Sequence, residues 1–207
     1  MKKILMVAIT LIIAIGTCFS ADKYEKRAKQ VAKQMQSGKK EPAWQVALGR
    51  QPLDMQLEKS YRMEDETTDD GELKWIIGTA TSVGENFDGA KMQATTLAIQ
   101  EIARLIQTTV AAEIESAGGN KQLEPGEAAT AMETTMGGSQ WIMNTIGRTI
   151  PVMECYQTLP NKNINVRVII AYNVKTAKER AKKALREELI KQGVEINSRM
   201  EKFFDEK

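Results

Sequence analysis

Chemistry needs side chains that attack, hold a proton near neutral pH or bind a metal, and this chain is short of them. There is no histidine among its 207 residues, so Ser-His-Asp and Cys-His arrangements and histidine-based zinc sites are excluded. Of the two cysteines, Cys155 stands in a strand-like run with no histidine to activate it, and reads as a small apolar strand residue. Ser37 and Lys40 have the spacing of the serine nucleophile and lysine base of penicillin-recognising enzymes. They lie in a polar break, Ser37-Gly38-Lys39-Lys40-Glu41-Pro42, without the companion motifs. The acidic stretch 64–72 raises calcium. A helix-loop-helix calcium loop starting at Asp65 would need glycine at its sixth place and glutamate at its twelfth, where this chain has Asp70 and Ile76. A solvated turn is the reading. Carboxylates are plentiful, yet no spacing sets two of them in an apolar pocket as glycoside hydrolysis requires. The sequence therefore reads as a non-enzyme, with no catalytic residues, metal or cofactor.

Charge says little about partners. There are 29 basic and 27 acidic residues, and without Lys2 and Lys3 the two counts are equal. A neutral chain gives no reason to expect nucleic acid, whose binding needs a basic face, and no nucleic-acid partner is expected. Lys2-Lys3 followed by an apolar run from Ile4 to Ile15, interrupted by Thr10 alone, has the form of a secretory signal over residues 1–20. It is too short for a membrane span. Two cleavage readings stand. Cys18 and Ser20 occupy the small-residue positions of ordinary cleavage, which would leave Ala21 first. Alternatively Ile15-Gly16-Thr17-Cys18 resembles a bacterial lipobox, with Cys18 lipidated, although Thr17 stands where glycine, alanine or serine is usual. The expected location is the periplasm or outer membrane.

The elements that would position any site are arranged around residues 74–114. Lys74 to Ala80 reads as a strand, a turn is expected over 83–88, and a long helix follows. In that helix Ala90, Ala94, Leu97/Ala98, Ile102, Leu105/Ile106, Val110 and Ile114 recur at helical spacing, while Gln93, Gln100, Glu101, Arg104 and Gln107 fall outside the stripe. Ser116 to Asn120 should stop it. Residues 125–146 read as two short helices or one with a hinge at Gly137-Gly138, with Met132, Met136, Trp141, Ile142 and Ile146 as the apolar face. Residues 149–159 and 164–173 form a hairpin around Pro160-Asn161-Lys162-Asn163, and Pro151 suggests an edge or bulge. A final helix over 175–204 is expected, capped by Thr176 with Glu179, with a kink at Gly193 and a basic outer side made by Lys178, Arg180, Lys182, Lys183 and Arg186. That side could meet anionic lipid or peptidoglycan, or be a solvated face.

Before this core, residues 21–70 read as a charged helical arm. Ala28, Val31, Ala32 and Met35 give a thin stripe, Trp44, Val46 and Leu48 alternate, and Leu53, Leu57 and Tyr61 lie four apart after Gln51-Pro52. Residues 71–207 read as a compact α+β domain: strand, helix, hairpin, helix, with a three-stranded antiparallel sheet packed by two long helices. Both sheet faces carry apolar residues: Val166, Val168 and Ile170 on one, Ile169 and Ala171 on the other. A second cover is implied, either the arm or a second subunit in a homodimer.

The run Trp75-Ile76-Ile77-Gly78-Thr79-Ala80, the helix alanines Ala90, Ala94 and Ala98, the hairpin and the basic alanine helix together resemble the twenty-kilodalton surface lipoprotein family (LPP-twenty type) of bacterial envelope proteins. The resemblance covers about residues 71–189. It implies a compact α+β domain in the envelope, often lipid-anchored, with no established enzyme activity, and supplies no catalytic residues. The functional expectation is a non-catalytic envelope protein that binds an envelope protein, lipid or peptidoglycan, or has a structural role. An adhesin-like surface protein and a cell-wall-acting enzyme are the alternatives.

Overall fold

The computed structural model describes residues 23–39 and 41–205. The expected leader, with Cys18 and its lipidation, and Lys40 of the serine-lysine spacing lie outside the described residues. In chain order the elements are α1 (residues 23–36), α2 (Leu53–Asp65), β1 (Trp75–Gly84), α3 (Phe87–Gly119), α4 (Pro125–Gly137), α5 (Ser139–Thr145), β2 (Ile150–Thr158), β3 (Ile164–Asn173), α6 (Val174–Lys191) and α7 (Ser198–Asp205). The class is α+β, as the sequence implied.

The sheet has the order β1-β3-β2 and is antiparallel throughout. Its middle strand, β3, is buried on both sides, which is why its sequence is apolar at nearly every position rather than at every second one. Val166, Val168, Ile170 and Tyr172 face the helical layer, packed with the α3 stripe Ala90, Ala94, Ala98, Ile102, Ile106, Val110 and Ile114 and with Ala177, Ala181, Leu185 and Leu189 of α6. Ile169 and Ala171 face the arm: Ala28, Ala32, Trp44, Leu53, Leu57 and Met63 close over them together with Val152, Met153 and Cys155. The arm is therefore the second cover. The sheet faces call for no second subunit.

The two edges of the sheet differ. On β2 the register shifts between Pro151 and Met153, so a bulge sits where the proline suggested. Arm groups close this edge. Gln45 exchanges backbone hydrogen bonds with Tyr156 at 2.6 and 2.9 Å, and the Gln56 side chain accepts from Glu154 N–H at 2.7 Å.

Several boundaries depart from expectation for local reasons. β1 continues through Ser82 to Gly84, leaving only Glu85 and Asn86 as the turn, because the Asn86 side chain accepts from Gly89 N–H at 2.8 Å and starts α3 early. α3 runs through Ser116 to Gly119 before Asn120 ends it. Residues 125–146 do form two helices broken at Gly138, but Met136 is exposed, and so is Leu97, which the expected α3 stripe included but which lies on the flank beside the buried alanines. The expected single C-terminal helix is two. Gly193 takes φ +81°, beyond Gln192 at the end of α6, and Asn197 starts α7 by accepting from Arg199 and Met200 N–H. The cap of α6 is Asn173, which accepts from Thr176 N–H at 3.0 Å, rather than Thr176 itself.

Candidate functional site

A cavity of about 510 Å³ opens between the turn before β1, the C-terminal half of α3, the start of α6 and Phe203 of α7. Its charged lining comes from Asp70, Glu72, Glu113 and Glu179 on one side of the balance and Lys74, Lys175, Lys178 and Lys182 on the other. Lys178 and Lys182 are one helical turn apart on α6, on the same face as Leu185 and Leu189, so both turn toward α3.

Glu113 of α3 meets them. Its Oε1 lies 3.1 Å from Lys178 Nζ and its Oε2 lies 3.1 Å from Lys182 Nζ. Lys178 also reaches Glu72 Oε2 at 3.4 Å. Lys182 is buried, and its ammonium sits 4.7 Å from the centre of the Phe203 ring. An ammonium removed from water needs an anion and a polarisable wall, and these two supply them. This corrects the expectation that Lys178 and Lys182 belong to an outward basic side. Arg186 is likewise engaged, with Glu201 at 2.5 Å, and Arg180 donates to Thr145 O at 3.3 Å.

Burial pulls the Lys178 pKa down, but its hydrogen bond and charge contact with Glu113, and the charge of Glu72, outweigh burial and raise it. It stays a cation at neutral pH and offers no free amine for attack. Lys74 of the lining is itself paired: Glu66 accepts from Lys74 Nζ and from Trp75 Nε1, each at 2.6 Å, and these bonds hold the Glu66 carboxyl below the usual range. The site is a set of fixed ion pairs. What it can do is exchange partners with a ligand that brings both an amine and a carboxylate.

A second polar group lies on the arm face of the sheet. Gln157 Oε1, Asn165 Oδ1 and Arg167 Nε are buried without a hydrogen-bond partner among the described residues. Cys155 is paired across β2 and β3 with Arg167. Burial pushes its thiol up to about 12, against a smaller opposing effect of the Arg167 charge. The native protein should therefore resist alkylation at Cys155 by iodoacetamide at pH 8 and react promptly once unfolded in guanidinium, as peptide mapping would show. Rapid labelling of the folded chain would contradict this geometry.

The remaining sequence candidates are not brought together. Ser37 Oγ donates to Gln34 O at 2.8 Å, at the end of α1. Asp65 Oδ2 accepts from Tyr24 Oη at 2.6 Å, and residues 66–74 fold back as a turn in which Thr67 bridges Leu73. Among the described residues no three His, Cys, Asp or Glu side chains are grouped to hold a metal ion, and no helix is long and apolar enough to cross a membrane. The Glu113 network is the feature that sequence reasoning missed. Its signal was the spacing of Lys178, Lys182, Leu185 and Leu189, which puts two lysines on a buried face.

Comparison with protein-family models, with curated proteins and with solved structures finds no match for this chain.

Proposed function

We propose that this chain is a non-catalytic, exported envelope protein that binds a zwitterionic, peptide-bearing component of the cell wall at the Glu113 cavity. The observation that carries the binding reading is the Lys178–Glu113–Lys182 arrangement: charges of both signs line one open cavity, held in place by the packing of α3 against α6. A ligand with free amines and carboxylates can replace water around these pairs without leaving an unmatched charge. The buried, high-pKa Cys155 and the protonated Lys178 support binding over turnover. The leader pattern at Lys2-Lys3 and Ile4 to Ile15 supports export, and the family resemblance of residues 71–189 points to the same compartment.

Two measurements test the reading. Mass spectrometry of the chain recovered from cells should give an N-terminus at Ala21 or an acylated Cys18; unprocessed protein in the cytoplasm contradicts export. Co-sedimentation with purified peptidoglycan sacculi should retain the wild type and lose the Lys178→Ala variant, with no muropeptide released. Soluble muropeptides would make the protein an enzyme, and equal retention of the variant would remove the cavity from the binding site.

A further inference from the structure

We propose that the outer edge of β1 is a self-association site, at which two copies of this chain pair antiparallel to make one six-stranded sheet. Val174 N–H donates to Lys74 O at 3.0 Å. With the β1–β3 register this sets the phase of the ladder: Ile76, Gly78, Ala80 and Ser82 exchange hydrogen bonds with β3, while Ile77, Thr79, Thr81 and Val83 turn their N–H and C=O groups outward. Among the described residues no backbone or side-chain group bonds to that outward row.

Sheet edges that must stay single are blunted by charge, proline, a bulge or a covering segment. The β2 edge has all of these: Pro151, the bulge at Val152, the buried Glu154 and the arm groups Gln45 and Gln56. The β1 edge has none. Over ten residues, Trp75-Ile76-Ile77-Gly78-Thr79-Ala80-Thr81-Ser82-Val83-Gly84, it carries no charge, no proline and no register shift. The helix beside it continues the theme. Gln93 is tied to Ser82 by a 2.6 Å hydrogen bond, which places this flank of α3 along the β1 edge. Gln93 and Leu97 on that side are uncharged, Glu101 one turn further on is neutralised by Arg104 at 2.7 Å, and Leu97 and Val83 are partly exposed apolar groups.

A second copy is the occupant that fits. A strip of one charge would repel its own image and select another partner, whereas an uncharged strand is complementary to itself about a two-fold axis. Ten residues in an antiparallel pair form roughly ten hydrogen bonds, the number found in an ordinary stable interface. The strip is about 33 Å long and, with the helix layer, roughly 20 Å deep, close to the ~800 Å² per partner that such interfaces bury.

The test is sedimentation of the full purified chain together with hydrogen exchange. The wild type should sediment as a dimer, with the Thr79 and Thr81 amides exchanging as slowly as those of Gly78 and Ala80. The double variant Thr79→Lys/Thr81→Lys sets like charges across the two-fold at exposed positions. It should dimerise about tenfold more weakly or worse, with fast exchange at residues 79 and 81, slow exchange at residues 78 and 80, and an unchanged circular dichroism spectrum. A monomeric wild type overturns the proposal. So does a dimer indifferent to the lysines, or one whose Thr79 and Thr81 amides exchange freely, including a dimer built at the Glu113 cavity.

Discussion

Gly78→Ala is expected to destabilise the domain by about 3 kcal/mol, lowering Tm by roughly 10 °C. Gly78 is buried beneath α3, and a Cβ there would collide with the carbonyl oxygen of Ala98 and come within 2.8 Å of Ile102 Cγ1. The second contact can relax by a rotamer change. The first cannot, because a carbonyl in the middle of a 33-residue helix moves only if the helix moves. Lifting α3 would open gaps along the whole alanine stripe, since Ala90, Ala94 and Ala98 are fully buried where helix and strand approach most closely. Thermal unfolding of the variants checks the argument. Gly126→Ala, where an added Cβ meets nothing within 4 Å, should be neutral or slightly stabilising. Ile102→Ala removes Cγ1 at the cost of its own cavity, and Gly78→Ala made in that background should still cost most of its loss, because the Ala98 carbonyl has not moved. A Gly78→Ala change that costs nothing in the Ile102→Ala background would show that the side chain, not the helix backbone, limits the approach.

That close approach was legible as a pattern, a strand glycine followed by alanines at helical spacing, because small residues at fixed intervals have few other uses. The sheet and its hairpin were legible for a similar reason: β-branched residues on both sides of Pro160 to Asn163 leave one plausible pairing. Helix ends were less so. Asn86 and Asn173 act as caps through single side-chain oxygens, and nothing in composition separates them from Thr176 with Glu179, which spells a better motif and is not used. The candidate site was hidden by a different rule. Lysine on a helix is ordinarily solvated, so Lys178 and Lys182 read as outward charges. Only the side-by-side placement of α3 and α6, a tertiary fact, brings Glu113 between them. The arm was visible as a second cover required by Ile169 and Ala171, but sequence could not choose between the chain's own arm and another subunit.

Deleting residues 23–64 is therefore expected to abolish independent folding. The deletion removes Leu53 and Leu57, both buried, along with Trp44 and the alanine pair Ala28 and Ala32. At about 1.5 to 3 kcal/mol for each large side chain, with the matching loss at Ile169, Val152 and Met153, the gross stabilisation withdrawn is of order 10 kcal/mol. That is as large as the net stability of an ordinary domain. The deletion also strips the β2 edge of its partners at Gln45 and Gln56, exposing an apolar face and an unpaired strand together, the combination that drives aggregation. Leu53→Ala in the full chain isolates the packing contribution and should cost about 3 kcal/mol while leaving the edge covered. Light scattering and dye binding of the truncated chain should report aggregates or an expanded state. Supplying residues 23–64 as a separate peptide should restore a cooperative unfolding transition if the arm acts by covering the face. A truncated chain that folds alone as a monomer would show that neither the face nor the edge needs its cover. One that folds only as a dimer, and still does so with Thr79→Lys/Thr81→Lys, would mean that two bare faces can replace the arm for each other.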